Sequence, residues 1–230
     1  MIEQNLTDIT NNIHLAARRA GRNPDRIKLV AVSKTRSVQE IEAAIRVGQN
    51  VFGESRIQEA AEKIPHIPGS VEWHLIGHLQ SNKVKTAVQL FNVIHSLDSL
   101  KLAKEIDRWA NKLSKIQLVL IQVNIAEETS KFGVSVSRLA DLIDAVKNAK
   151  NIRLLGLMVI PPYFDDPEEA RVFFRRLKEI AFDQLVSTHY IDEAVLELSM
   201  GMSNDYQVAI EEGATMVRIG TAIFGERVIG

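Results

Sequence analysis

The sequence predicts one α/β domain folded as a single closed (β/α)8 barrel of the TIM type, with an extra helix at its amino terminus. Three observations carry that prediction. Short, apolar, β-rich runs alternate with amphipathic helical patterns along the whole chain, which is the signature of a parallel sheet with crossover helices. Eight such runs are present. The chain has 230 residues, a length that barrels of this kind use as one unit. An open α/β sheet is the alternative that the same pattern allows.

The opening helix covers residues 3–20, with Ile2, Leu6, Ile9, Ile13 and Ala16/Ala17 at helical spacing. Gly21, Asn23 and Pro24 stop it. The first strand is Lys28–Lys34. Ser37 and Glu40 then have the spacing of a capping box, for a helix that ends at Gly48. The second strand is Asn50–Glu54, with a helix to Ile64. The third is Val71–Gly77, with a helix over Asn82–Leu90. The fourth is Asn92–Leu97, with a helix over Ser99–Leu113. The fifth is Ile116–Asn124, and its helix carries Leu139, Leu142, Ile143 and Val146. The sixth is Ile152–Ile160. Pro161 and Pro162 break the chain there, and Asp166-Pro167-Glu168-Glu169 opens the next helix with a cap, an N1 proline and an acidic first turn. The seventh strand is Leu196–Met200, the next helix runs from Asn204 to Gly213, and the eighth strand is Met216–Ile219.

Composition narrows the function classes. Apolar residues are 46% and charged residues 25%, ordinary for a globular protein. A chain of this length buries roughly 70–75% of its unfolded surface, so the core needs no staple. Lys plus Arg is 28 and Asp plus Glu is 29, which gives no electrostatic reason to expect nucleic acid or an anionic membrane. Cysteine is absent, so disulfides, thiolate metal sites and cysteine nucleophiles are excluded together. The first residues are too polar for a signal peptide, and no apolar run has the length of a membrane span. The expected location is cytoplasmic.

Barrel sites lie at the carboxyl ends of the strands, with phosphates often held after strands seven and eight. The first strand ends in Lys34 after an apolar run. Desolvation there favours the neutral amine that attacks an aldehyde; a lysine snorkelling to water is the plain alternative. Strand seven runs into LSMGMSND, where glycine permits close backbone approach and Ser203 can cap the next helix. Strand eight runs into RIGTAIFG, where Gly220 and Thr221 add donors. Together they suit a phosphate; two ordinary glycine turns are the alternative. Arg218 stands beside the second turn, for a ligand or for a rim salt bridge. His74, His78 and His95 raise the question of a metal cluster, but hydrogen-bonded core histidines are commoner. Strand alternation puts His74 and His78 on one face. No nucleotide-binding glycine motif is present.

These residues sit in a set of segments that resembles the pyridoxal phosphate homeostasis proteins, small single-domain relatives of alanine racemase. The segments are LVAVSKT from Leu29, VFGE from Val51, WHLIGHLQSNK from Trp73, VNIAEETSKFG from Val123, GLM from Gly156, LSMGMSNDY from Leu198 and VRIGTAIFGE from Val217. The resemblance implies the barrel of the alanine racemase N-terminal domain, the type III fold for pyridoxal 5′-phosphate (PLP). It implies PLP as cofactor, in a Schiff base on Lys34. It implies Ser199, Met200, Gly220 and Thr221 around the phosphate, and Arg218 facing the pyridine nitrogen. Arginine there disfavours protonation of that nitrogen and weakens the ring as an electron sink. His74, Gly77 and Asn82 lie in a well-matched segment. Ser55 departs from the pattern, because the family usually has asparagine after Gly-Glu.

The expected function is PLP binding in vitamin B6 homeostasis, as a carrier or regulator that affects amino-acid pools, without substantial turnover. PLP-dependent apo-enzymes are the candidate acceptors, and a monomer is expected. The main alternative is an amino-acid racemase, which needs acid/base groups on both faces of the substrate. The sequence ends soon after strand eight, where alanine racemase has a further domain. Tyr163, Tyr190 and Tyr206 have no evident place as a second base. A Schiff-base aldolase using Lys34 directly is the third reading.

Overall fold

The computed structural model describes residues 1–128 and 131–226. Helix α1 (Ile2–Arg19) is followed by β1 (Lys28–Val32), α2 (Val38–Arg46), β2 (Val51–Glu54), α3 (Ile57–Lys63), β3 (Glu72–Leu75), α4 (Val84–Leu90), β4 (Val93–Leu97) and α5 (Leu100–Lys112). Then come β5 (Gln117–Asn124), β6 (Val134–Ser135), α6 (Val136–Lys147), β7 (Ile152–Met158), α7 (Arg171–Ala181), β8 (Glu197–Ser199), α8 (Tyr206–Glu211), β9 (Met216–Ile219) and α9 (Thr221–Phe224).

The strands pair in the order β1-β2-β3-β4-β5-β7-β8-β9, and the ring closes where β9 pairs in parallel with β1, Lys28 opposite Met216 and Ala31 opposite Ile219. Every pairing is parallel. The predicted barrel and its leading helix are therefore present. Strand β6 was not foreseen; it adds two residues to the edge of β5, Val134 opposite Val123, and is too short to show a period of two. Local chemistry follows the sequence where a side chain decides it. Ser37 and Glu40 form the full capping box on α2. Asp166 accepts the Glu168 N–H at 2.9 Å and opens a 3₁₀ turn, Pro167–Ala170, that leads into α7.

Apolar packing falls into two regions. One large cluster lies between the strands and the helices, with Phe52, Phe91, Phe174 and Ile106 fully buried in it. Helix α1 joins it through Leu6, Ile9, Ile13, Ala16 and Ala17, the stripe its spacing predicts. The second cluster is small: Val30, Val51, Leu120, Met158 and Met216. Val30 and Met216 alternate with outward neighbours on β1 and β9, so this cluster fills the barrel interior. Among the described residues, no helix is long and apolar enough to cross a membrane.

Candidate functional site

A cavity of about 480 Å³ opens at the carboxyl ends of the strands, within the usual size range of small-molecule sites. Lys34, Arg218, Gly220 and Thr221 line it, as do Ser55, Tyr163, Ser203 and Asn204. Lys34 is not in its strand. Strand β1 ends at Val32, and Thr35 has φ +64, a left-handed turn that non-glycine residues adopt rarely. Residues of α3 hold that turn. Lys63 donates from Nζ to the Ser33 carbonyl at 2.8 Å and to Glu54 Oε1 at 3.0 Å. Glu59 pairs with Lys63 and accepts the Thr35 backbone N–H. Burial pushes the Glu54 carboxyl above its usual range, against the pull of Lys63 and Ser33.

The turns after β8 and β9 form the facing wall. Gly201 has φ +91, and a Cβ there would lie 2.6 Å from the Ala209 Cβ, so only glycine lets this turn pack on α8. A Cβ on Gly220 would meet both Cβ and the carbonyl oxygen of Val32 at 3.2 Å. Ser203 does not cap α8 as its position suggested. Its hydroxyl accepts the Ala222 N–H at 3.4 Å and links the two turns, while Asp205 accepts the Met202 N–H at 2.6 Å. Burial raises the Asp205 carboxyl above its usual range.

Arg218 is 3% exposed yet forms part of the cavity wall. It makes no ion pair with a carboxylate among the described residues. Instead Nη1 donates to the Ser199 hydroxyl at 2.6 Å and Nη2 to the Val159 carbonyl at 2.9 Å. Burial lowers its pKa to about 10. Behind it, a line of polar groups crosses the barrel, buried at Ser199, His95 and His74 and ending on the half-buried Glu72. Ser199 Oγ lies 2.9 Å from His95 Nδ1, His95 Nε2 lies 2.8 Å from His74 Nδ1, and His74 Nε2 lies 2.7 Å from Glu72 Oε1. Lys28 donates to Glu72 at 3.2 Å. Burial holds both imidazoles below their usual pKa, His95 far below. The bond from His74 holds Glu72 at about 2, with Lys28 helping.

The structure thus gathers four of the six expected site residues, Lys34, Arg218, Gly220 and Thr221, around one cavity. Ser199 and Met200 lie beneath it, fully buried. The Ser199 hydroxyl is taken by Arg218 and His95, and the Met200 N–H donates to the Met216 carbonyl at 3.1 Å. His74 and His78 do not share surroundings, because β3 stops at Leu75 and alternation stops with it. His78 stacks on Phe132 at 3.8 Å and faces Asp98 at 3.5 Å. Tyr163, given no place by the sequence, is 80% exposed on the cavity rim. The Pro161-Pro162 break was the signal that a loop turns over the barrel mouth there. Asn204 and Asp205 were the other misses, although both stand in the LSMGMSND segment.

The alanine racemase N-terminal domain family matches residues 4–228. Pyridoxal phosphate homeostasis proteins of Aquifex aeolicus and Escherichia coli K12 are 44% and 42% identical to the chain, with at least 97% of each partner covered. The chain belongs to the pyridoxal phosphate homeostasis protein family. PipY of Synechococcus elongatus, solved with PLP bound, superposes with a TM-score of 0.83 at 33% identity, over 98% of this chain and all of that one. Alanine racemase of Clostridium difficile shares the fold at 17% identity and aligns over 57% of its own length.

Proposed function

We propose that this chain holds PLP on Lys34 in the cavity at the carboxyl end of the barrel and acts as a reversible carrier in PLP homeostasis. The observation that carries the proposal is the donor set around that cavity. An amine (Lys34), a buried guanidinium (Arg218) and the hydroxyls of Ser203 and Thr221 share one wall system, which is the chemistry an aldehyde, a ring nitrogen and a phosphate call for. Gly220 lines the cavity without a side chain, and its close approach to Val32 leaves no room for one. When bound, the cofactor supplies an aldehyde carbon that an amine can add to reversibly.

The chain's own residues divide the work. Lys63 and Glu59 fix the Lys34 turn. Gly220, Thr221, Ser203 and Asn204 would hold the phosphate. Because Ser199 and Met200 use their hydroxyl and amide elsewhere, their part is to support the turn. Arg218 donates and never accepts, so it favours an unprotonated ring nitrogen as its partner, a weak sink for carbanion chemistry. The names of the relatives, pyridoxal phosphate homeostasis proteins, support a carrier over a racemase. PLP-dependent apo-enzymes are the proposed acceptors, and the proposed state is a monomer in the cytoplasm.

A visible-absorption titration with PLP tests the proposal. Wild-type protein should develop a band that Lys34→Ala lacks. Mixing loaded protein with L-alanine should give no D-alanine over hours, whereas an apo-enzyme should gain activity as the band fades. Steady formation of D-alanine would replace the carrier with an enzyme.

A further inference from the structure

The polar line through the barrel has ends that leave it only one proton arrangement. Arg218 can only donate, and Glu72, ionised down to a pKa of about 2, can only accept. Between them stand one hydroxyl and two imidazoles held neutral by burial. A neutral imidazole has one donor and one acceptor nitrogen. All four bonds are made only if every donor points the same way. Arg218 donates to Ser199, Ser199 to His95 Nδ1, His95 Nε2–H to His74 Nδ1, and His74 Nε2–H to Glu72. The opposite order would set a bare His74 nitrogen against the Glu72 carboxylate.

We propose that Glu72, His74, His95 and Ser199 are positioning residues that form a one-directional hydrogen-bond relay, fixing Arg218 in the cavity wall and tying it to the Lys28–Glu72 pair at the opposite end of the barrel. The relay explains how a buried guanidinium persists without an ion-pair contact, the Asp205 carboxylate acting on it only through space. A cation at one end and an anion at the other align every dipole between them, and chains of hydrogen bonds polarise one another in a low-dielectric interior. His74 and His95 are fully buried and line no part of the cavity, so they act on a ligand only through Arg218. Glu72 sits farther still, beside Lys28 at the start of β1 and β3.

Two measurements decide this. The first is nitrogen-15 NMR of the histidine side chains in ligand-free protein near neutral pH. His74 and His95 should both be neutral, with the proton on Nε2; a proton on Nδ1 of either ring, or an imidazolium, overturns the relay. The second is a double-mutant cycle between His95→Phe and Arg218→Ala, read as the Kd for PLP. His95→Phe should weaken binding about tenfold in wild type and less than twofold when Arg218 is already alanine. An equal loss in both backgrounds means that His95 acts through general packing, and sinks the proposal. The second measurement rests on the PLP reading and the first does not. If wild type binds no PLP, His95→Phe is instead compared with wild type alone, by hydrogen-exchange protection of the Arg218 side-chain N–H protons. Unchanged protection there contradicts the relay.

Discussion

The two sides of the barrel strands are built on opposite rules. The side facing the helices packs one large cluster of leucine, isoleucine, valine and phenylalanine, in which burial and apolarity coincide. The side facing the interior carries a five-residue apolar plug and, beside it, Glu72, His74, His95, Ser199 and Arg218 in hydrogen-bond contact. The first region holds the fold together by removing apolar surface from water. The second places a cation in the wall of the cavity at the cost of desolvating it. The difference teaches that the apolar packing and the polar wall of the cavity are carried by separate faces of the same strands.

Substitutions on the two faces should therefore separate the two readouts. The largest stability effect belongs to the shell. Phe174→Ala, at a fully buried site on α7, should lower unfolding free energy by about 3–5 kcal/mol in denaturant titration and leave the affinity of the folded protein for PLP within twofold. Gly156→Ala should be comparable, because its Cβ would overlap the Glu197 carbonyl oxygen, which lies 1.9 Å away. Arg218→Met should do the reverse. Removing a buried cation that makes no ion-pair contact and feels Asp205 only through space should change stability by about 1 kcal/mol or less in either direction, while PLP binding weakens by about a hundredfold.

The interior should also show in the pH dependence of stability. His74 and His95 have folded pKa values below the ordinary 6.5. The unfolded chain therefore takes up protons first, and stability present above pH 6.5 should be lost as pH falls from there. Glu72 adds a second loss from its ordinary 4.5 down to about 2. His95→Phe should flatten the first slope and Glu72→Gln the second, in unfolding curves taken at a series of pH values. The smallest effect is expected outside both regions. Arg171 meets Glu168, Glu211 and Glu212 on the surface, and Arg171→Ala should cost less than about 1 kcal/mol.

The same contrast marks what was legible in the sequence. Shell-facing residues repeat with the periods of helices and strands, so the eight strands and the α1 stripe could be read directly. Capping chemistry is local, which is why Ser37 with Glu40 and Asp166 with Glu168 were readable. Lys34, Arg218, Gly220 and Thr221 fall at the ends of strands, and barrel geometry brings strand ends together. The interior was not legible. Which polar residues meet depends on register between strands distant in sequence: His95 and Ser199 are in contact across 104 positions. Strand length also misled, since His78 keeps the spacing of β3 but lies beyond its end.

Reduction of the PLP-loaded protein with borohydride, followed by peptide mass mapping, tests the central claim most directly. One phosphopyridoxyl adduct per chain on the peptide carrying Lys34, and none after Lys34→Ala, is the predicted result. An adduct on another lysine, or a Lys34→Ala protein that traps PLP as well as wild type, would contradict the placement of the cofactor in this cavity.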